Sequence, residues 1–409
     1  MNDSNFQVFS DNSLFKRCRR KIVGWDVNPP DPFPGYGGCI GLLQDCKPMP
    51  DGDWLLVFRA GYWHISMATP FVVPKETLDR WEKNGFPRNH SAPTGGRIMG
   101  VRSCDNGLNW SRPFTILDTP LDDHPISPIV LRDGTVLLFV GNQASWYGLK
   151  EPPSGHLPVN TRVGVMRSMD SGHTWTEPAW LDSPYRYYQR GFSDAIQLPD
   201  GGLLLPTYCA DQWGEPLRGA IHRSDDSGKT WRCISTIERR DGDIDEEAIA
   251  LLPSGRIILI TRLDGAVFYS HDLGVSWKYS HKTPFNIKAP HLILLKDNTL
   301  VCLLTSNGHL SVSWSRDEGK TWKLDGDGKP FCLDHECYGY PGGFVMEDES
   351  IFVVYYDGVN NQRRTGVWGL RFRVDEARKS VALLPAPGVT ADNPGGLNER
   401  LPEMDAEVM

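Results

Sequence analysis

The sequence SDDSGKTW, at residues 224–231, is one of five copies of a Ser-x-Asp-x-Gly-x-x-Trp pattern. The other copies occupy residues 103–110, 168–175, 270–277 and 315–322. Each copy has the chemistry of a tight turn between two strands, because Asp accepts hydrogen bonds from nearby N–H groups, Gly can adopt positive φ and Trp can cover the turn. Internal repeats report architecture first, so we interpret these turns as fold elements without a catalytic duty.

A second repeat, out of phase with the first, consists of an apolar strand, a two-residue polar turn and another apolar strand. The six turns fall at residues 51–52, 133–134, 200–201, 254–255, 297–298 and 348–349. Asp-Gly between apolar runs is a strong hairpin signal, although the last two copies lack the glycine. Hairpins spaced roughly forty to eighty residues apart fit radially arranged four-stranded sheets better than a sandwich. The sequence therefore predicts an all-β fold, a six-bladed β-propeller.

Composition fits one large β domain rich in turns. The 409-residue chain is 40% hydrophobic, which suffices for a large core, and its 14 Trp and 41 Gly suit this fold. Because the repeats span most of the chain, we predict one propeller at residues 38–384. Residues 1–37 are predicted to be an N-terminal extension or closing strand, and residues 385–409 a C-terminal tail.

Charge and motif content disfavour several classes of protein. The net charge of −8 argues against nucleic acid as the main partner. The nine cysteines form no CxxC pair, which disfavours a disulfide framework and a zinc cage. We see neither a secretory signal nor a membrane span, so we expect a cytoplasmic protein. No motif for a metal or organic cofactor appears, and we expect none. The oligomeric state stays open.

The five turn repeats resemble the Asp-boxes, or BNR repeats, of the sialidase (neuraminidase) superfamily, whose members are six-bladed propellers. The resemblance covers roughly residues 38–375. It implies a glycoside hydrolase with an acidic carbohydrate as substrate. Other exo-glycosidases, some polysaccharide lyases and non-enzymatic proteins also carry Asp-boxes, so function has to be argued from the site. In propellers that site usually lies where the innermost strand of each blade begins.

The fourth predicted blade reads DGDIDEEAIALLPSGRIILITRLDG, residues 241–265. It is similar to the sialidase pattern of a Glu that opens one strand and an Arg that closes the next. Glu246 matches that Glu and Arg262 matches that Arg, with Glu247 as the alternative if the register shifts by one residue. The two ends of an antiparallel hairpin lie side by side, so both side chains reach one rim. A cross-strand ion pair that only orders the rim is the alternative interpretation.

The sixth predicted blade carries Tyr340 in the glycine-rich sequence YGYPGG, residues 338–343. Its spacing from the following hairpin resembles that of the nucleophilic Tyr in sialidases. A phenol suits a sugar that bears a carboxylate next to its anomeric carbon, because a neutral nucleophile is not repelled by that carboxylate. An adjacent Glu would activate the phenol. The alternative is a Tyr that only stacks on a sugar or lies at an interface.

The chain departs from the sialidase pattern at the arginines and at the general acid. Sialidases bind the substrate carboxylate with three arginines, and only Arg262 matches one of them. Residues 38–40 read Gly-Cys-Ile in place of the family's Arg-Ile-Pro, and His309 stands where a third Arg is expected. Other arginines that could supply charge are Arg59, Arg186 and Arg190.

The loop after the first blade contains only Asp79 as an aspartate, inside a helix predicted at residues 75–85. His64 and His90 are substitutes for the missing acid by their ordinary pKa. Further polar residues at predicted strand starts are Asp123, His124, Asp194 and His291, with Trp63 and Trp146 as candidate stacking surfaces.

Three functions remain open at this point. The first is an exo-acting glycoside hydrolase, with Tyr340 and Glu246 at the anomeric carbon and Arg262 on an acidic group. The second is a polysaccharide lyase on uronate-containing chains, in which Tyr340 or a His removes the proton beside the carboxylate. The third is a non-catalytic propeller that binds glycans or protein partners. The resemblance favours the first.

Overall fold

The computed structural model describes residues 14–31, 39–61, 96–119, 121–143, 161–212, 214–336, 339–357, 365–375 and 379–390. This part of the chain forms one short helix, α1 (Leu14–Cys18), and strands arranged in six antiparallel sheets of four or five strands. Among these residues, no helix has the length and apolar character needed to cross a membrane. The helix predicted at residues 75–85 lies outside the described residues.

The sheets follow one another along the chain. The first blade contains β2 (Cys39–Ile40), β3 (Asp45–Pro48), β4 (Trp54–Gly61), β5 (Arg97–Ser103) and β6 (Phe114–Leu117). The second contains β7 (Asp122–Val130), β8 (Val136–Gln143), β9 (Thr161–Ser168) and β10 (Ala179–Trp180). The third contains β11 (Tyr188–Arg190), β12 (Ile196–Gln197), β13 (Leu203–Ala210), β14 (Arg218–Ser224) and β15 (Arg232–Ile237).

The second half of the ring repeats this plan. The fourth blade contains β16 (Ala248–Leu251), β17 (Ile257–Ile260), β18 (Ala266–Ser270) and β19 (Lys278–Lys282). The fifth contains β20 (Lys288–Leu294), β21 (Leu300–Ser306), β22 (His309–Ser315) and β23 (Phe331–Asp334). The sixth contains β24 (Gly339–Val345), β25 (Ile351–Tyr356), β26 (Val367–Asp375), β27 (Ser380–Leu384) and, from the N-terminal side, β1 (Arg20–Val23).

The inner strands of successive blades contact each other around a closed ring. β7 contacts β3 of the first blade, β20 contacts β16, and β24 contacts both β20 and β3. The ring closes where β1 pairs with β26, which joins the two ends of the chain in one sheet. The all-β, six-bladed propeller predicted from the sequence is confirmed.

The six predicted hairpins join the first and second long strands of the six blades. In the fourth blade, for example, Leu251 pairs with Ile257 across the turn at residues 252–256. The second strands β4, β13 and β17 are buried at every residue, because each blade packs between two neighbours. Burial on both faces explains why these strands are continuous apolar runs rather than alternating ones.

The five Asp-boxes form the turns between the third and fourth strands of the first five blades. In the third blade, Ser224 Oγ donates to Asp226 Oδ1 at 2.8 Å and accepts a hydrogen bond from Gly228 N at 2.9 Å. Gly228 has a φ of 77°, and a Cβ there would lie 2.5 Å from Leu137 of the second blade. The glycine is therefore required both by the turn and by the packing between blades.

Strand direction assigns the two ends of the ring. Because neighbouring strands are antiparallel, the first-to-second hairpin turns and the Asp-boxes share one end. The other end of the ring contains the starts of the first strands and the ends of the second strands. Most of the predicted site residues fall at this second end, which we call the open end.

Candidate active site

The rim of the fourth blade brings Glu246 and Arg262 to the same position at the open end. Glu246 precedes β16 by two residues and has a φ of 42°. Arg262 follows β17 by two residues, and its N–H donates to the carbonyl of Asp245 at 2.8 Å. Left-handed backbone is costly for a residue with a side chain. Glu246 nevertheless adopts this conformation, which directs its side chain toward Arg262.

Three donors converge on the Glu246 carboxylate, which is buried. Tyr340 Oη donates to Oε1 at 2.9 Å, and Arg262 Nη1 donates to the same oxygen. The N–H of Ala289, in the fifth blade, donates to Oε2 at 3.0 Å. A carboxylate is an acceptor, so it matches three donors. We call Glu246, Arg262 and Tyr340 the trio.

Tyr340 reaches the trio from a tightly held turn at the start of β24. Its φ is 52°, and that of Gly339 is 113°. A Cβ at Gly339 would lie 2.3 Å from Thr305 Oγ1, and the same oxygen accepts the Tyr340 N–H at 3.1 Å. The Tyr340 ring packs edge-on against Phe192, with centroids 5.5 Å apart. The phenol is therefore fixed by residues from the third and fifth blades.

The charges around Arg262 favour its guanidinium form. Burial opposes that charge, but Glu246, Tyr340 and Asp245 outweigh burial and raise the pKa of Arg262 above its usual value. Its side chain is still 25% exposed, so it can meet an anion from solution. Asp245 lies 3.8 Å from Arg262 Nε, and burial together with Glu246 raises the pKa of this carboxyl to about 7.

Glu247, the alternative to Glu246, lies away from the trio. It is buried, and one carboxyl oxygen lies 3.2 Å from the position that a Cβ would take at Gly219 of the third blade. Neither carboxyl oxygen forms a hydrogen bond with a described residue. Burial raises the pKa of Glu247 well above its usual value.

Arg59 is fully buried and bound to Asp122. Its Nε and Nη2 donate to Asp122 Oδ1 at 3.0 and 2.6 Å, and both side chains have no exposed surface. The N–H of Gly96 donates to the same oxygen at 2.8 Å. A Cβ at Gly96 would lie 2.5 Å from Arg59 Nε, so the loop passes directly over the guanidinium. Arg59 thus neutralises Asp122 in the interior.

Asp123 and His124 also lie in buried networks of the second blade. Asp123 accepts hydrogen bonds from the N–H and hydroxyl of Thr119, at 2.6 and 2.9 Å, and from Asn142 at 2.7 Å. Burial raises the pKa of Asp123 to about 7. His124 Nε2 lies 3.1 Å from Asp122 Oδ2. His124 therefore extends the Arg59–Asp122 pair, whereas Asp123 belongs to a network with Thr119 and Asn142.

Asp194 and His291 belong to a separate buried cluster of inner strands. Lys47 Nζ lies 2.9 Å from carboxylate oxygens of both Asp45 and Asp194. His291 Nδ1 lies 3.9 Å from Asp194 Oδ1. His309 lies elsewhere, at the turn before β22, with its ring 5.7 Å from that of His335. Asp194 and His291 thus lie with Lys47 and Asp45, and His309 lies with His335.

Sequence reasoning missed two participants and could not place others. Asp245 was detectable, because it starts the run Asp-Glu-Glu that contains Glu246. The Ala289 N–H is a backbone donor, so the residue type gives no indication of its role. Several residues named as candidates lie outside the described residues: Trp63, His64, Asp79, His90 and Trp146.

One group of three ligand-type side chains, Asp51, Asp53 and His173, lies close enough to share a metal ion among the described residues. It is solvent-facing and sits at the Asp-box end, away from the trio. Arg102 Nη1 lies 3.5 Å from Asp53 and 3.7 Å from Asp51, and its positive charge competes with a metal cation.

Six blades with Asp-box turns, together with a Tyr–Glu–Arg trio at the open end, define the class as a sialidase-type propeller. The family model described as a BNR repeat-like domain matches residues 92–353, and the chain belongs to this family.

Known relatives agree with this assignment. A sialidase from Bacteroides fragilis is 26% identical over 304 residues, which cover 68% of this chain and 52% of the relative. The chain thus spans about half the length of this relative. A crystal structure of a Dyadobacter fermentans protein of unknown function has a TM-score of 0.63 at 17% identity, covering 86% of this chain and 98% of that one.

An intramolecular trans-sialidase from Ruminococcus gnavus has a TM-score of 0.61 at 13% identity, covering 87% of this chain and 98% of that one. At such identities these structural likenesses show the fold alone.

Proposed function

We propose that this protein is a sialidase-like exo-glycoside hydrolase that releases an acidic sugar from the end of a glycan. The observation that carries the proposal is the 2.9 Å hydrogen bond from the Tyr340 phenol to Glu246, buried at the open end of the propeller. A phenol hydrogen-bonded to a carboxylate is the pairing of nucleophile and base that this chemistry requires.

In the proposed reaction, Tyr340 Oη attacks the anomeric carbon while the bond to the leaving oxygen breaks. Glu246 takes the phenolic proton, so the phenol gains nucleophilicity as the new bond forms. A carboxylate nucleophile would be repelled by the carboxylate of the sugar, whereas a neutral phenol is not. Water then attacks the same carbon as the bond to Tyr340 breaks, and Glu246 returns its proton to Tyr340. Solvent receives the proton that water loses and supplies the proton that the leaving oxygen takes up, so the sugar and the alcohol are both released.

Arg262 supports an acidic substrate. Its guanidinium is hydrogen-bonded to Glu246 and partly exposed, so its free face can pair with the sugar carboxylate. It also offsets negative charge on Glu246 and on the phenolate as the proton moves. A neutral sugar would offer no anion to the exposed face of this guanidinium.

Binding without catalysis is the second candidate function. It is favoured by the state of Arg59, which is fully buried against Asp122 and so does not add charge to a substrate site. The segment that replaces the family's Arg-Ile-Pro forms β2, whose residues Cys39 and Ile40 are both buried. Of the three arginines in the family pattern, the described residues therefore supply Arg262 alone.

The test is release of 4-methylumbelliferone from a panel of aryl glycosides headed by the α-sialoside. We expect the wild type to cleave the acidic sugar and Tyr340→Phe to lose roughly a hundredfold or more in kcat, since the nucleophile is removed. Tyr279→Phe, on the outer strand β19, is the matched control and should stay active. Full turnover by Tyr340→Phe contradicts the proposed mechanism, and a folded but silent wild type favours glycan binding.

A further inference from the structure

A small cavity lies between the second and third blades at the open end. Its lining includes His124, Gly141, Gln143, Thr161, Gln189 and Arg190. His124 and Gln143 are each only 2% exposed. Each also has a polar atom that forms no hydrogen bond with the described residues, namely Nδ1 of His124 and Nε2 of Gln143. Two such atoms around one cavity point to a ligand.

The unpaired atom of His124 is an acceptor. Burial opposes charge on Asp122, but Arg59 and His124 outweigh it and hold the pKa of Asp122 below its usual range. Burial lowers the pKa of His124 to about 4, so the ring is neutral at pH 7. The single ring proton then belongs on Nε2, which faces the Asp122 carboxylate at 3.1 Å. Nδ1 keeps a free lone pair.

The unpaired atom of Gln143 is a donor. Arg190 Nη2 donates to Gln143 Oε1 at 3.1 Å. Because a guanidinium can only donate, this contact fixes the amide with its oxygen toward Arg190. The amide NH2 group is left with its hydrogens unpaired among the described residues.

Strand register brings the two atoms to one face of the blade. Asp122 pairs with Gln143 and His124 pairs with Gly141, so His124 and Gln143 are diagonal neighbours on the same face. Gly141 adds no side chain between them. A Cβ there would lie 3.7 Å from His124 Cβ, in ordinary contact, and would occupy part of this space.

We propose that this cavity is a hydroxyl subsite, in which one sugar hydroxyl donates to His124 Nδ1 and accepts from Gln143 Nε2. A hydroxyl both donates and accepts, whereas a carboxylate only accepts and an ammonium only donates. The pair of unsatisfied atoms, one acceptor and one donor, therefore selects an alcohol over either ion.

The subsite and the trio belong to one surface. Arg190 and Gly191 line the cavity, and the next residue, Phe192, packs its ring edge-on against that of Tyr340, with centroids 5.5 Å apart. The hydroxyl is thus one that belongs to the sugar held at Tyr340, and the inference rests on the proposed function. It deepens that function by naming a specificity contact.

The experiment compares kcat/KM for 4-methylumbelliferyl α-sialoside and for its monodeoxy analogues, each lacking one hydroxyl. For the wild type, we expect one analogue to be slower by about tenfold or more, because it leaves buried polar groups unpaired. Gln143→Glu keeps an acceptor for Arg190 but removes the donor, so it should cleave the parent and that analogue at similar, lowered rates.

Cavity filling tests the subsite without changing its polar groups. Gly141→Ala should reduce the preference for the parent over that analogue, and Gly141→Val should remove it. The control is Gly326→Val, since a Cβ at Gly326 has no atom within 4 Å. If the wild type cleaves every monodeoxy analogue as fast as the parent, the subsite is wrong and the hydrolase proposal stands.

A binding readout separates the two proposals. In Tyr340→Phe protein labelled with ¹⁵N-histidine, the parent sialoside should shift the Nδ1 resonance of His124, and the discriminated analogue should not. If the wild type cleaves nothing while this shift occurs, the hydrolase proposal fails and the subsite stands. If the parent binds and the resonance does not move, the subsite is overturned.

Discussion

Tyr340 and Glu246 are 94 residues apart in sequence, and the phenol of one donates a 2.9 Å hydrogen bond to the carboxylate of the other. The ring of blades creates this contact, because strand starts from the fourth and sixth blades converge at the open end. Both residues have positive φ, which is costly for residues with side chains. Strain at two residues that meet at one hydrogen bond is typical of a functional site.

Replacing Glu246 by Gln should remove the base and keep the shape. We expect kcat to fall by about 10²- to 10⁴-fold, the usual contribution of a general base. Glu247→Gln is the matched control. Burial raises the pKa of Glu247 and so favours its protonated form, which Gln resembles. Steady-state kinetics decide the matter, and equal losses in both variants would contradict the assignment of the base.

Gly339→Ala should disturb the position of Tyr340. A Cβ at this residue meets Thr305 Oγ1 at 2.3 Å, and a φ of 113° is unfavourable for Ala. We expect kcat to fall by at least about tenfold, with a loss of about 1–3 kcal/mol in the free energy of unfolding.

Gly308→Ala is the control for backbone strain, since Gly308 also has positive φ but no atom lies within 4 Å of its Cβ position. Gly308→Ala should lower the free energy of unfolding but leave kcat unchanged. Kinetics and urea unfolding of the two variants check the prediction, which fails if both keep full activity.

Asp122→Asn should leave the Arg59 guanidinium buried without its counter-ion. Because both side chains are fully buried, we expect a loss of about 3–5 kcal/mol in the free energy of unfolding. The control is Asp118→Asn, which breaks a partly exposed pair with Arg97 and should cost about 0–1 kcal/mol. Urea denaturation measures both. Similar small losses in the two variants would mean that the buried Arg59–Asp122 ion pair is not important for stability.

His222 should make the protein less stable in mild acid. Burial lowers the pKa of His222 to about 4, against about 6.5 in an unfolded chain. Between these values the unfolded state binds the proton and the folded state does not, so the stability contributed by neutral His222 is lost as pH falls from 6.5 to 4.

His222→Gln should therefore flatten the decline in the free energy of unfolding over this range, by up to about 3 kcal/mol. Gln can still hydrogen-bond to Thr207, whose hydroxyl lies 3.0 Å from His222 Nε2. The exposed His271→Gln serves as control. Unfolding in urea at several pH values gives the slope, and an unchanged slope for His222→Gln rules out this role.

The blades and the pairing of Glu246 with Arg262 were predictable, because both depend on local patterns. Polar turns between apolar runs mark hairpins, and a hairpin brings its own two ends together. Tyr340 could be named through the family pattern, whereas its contact with Glu246 depends on how blades stand around the ring.

The partner of Arg59 could not be predicted for the same reason. Asp122 is 63 residues away, in another blade, and a single sequence carries no signal for that contact. Asp194 and His291 were placed near the trio because they start inner strands. His291 lies three residues inside β20, and Asp194 pairs with Lys47, so these side chains form a separate cluster.

The most direct test of the central claim is trapping of the sugar on Tyr340. The wild type is incubated with a 3-fluorosialosyl fluoride, whose fluoride leaves readily and whose second fluorine slows release from the protein, and is then analysed by peptide mass spectrometry. We predict a sialosyl adduct on the peptide that contains Tyr340, absent from Tyr340→Phe. An adduct on another residue, or turnover of a sialoside by protein that forms no adduct, would contradict the account.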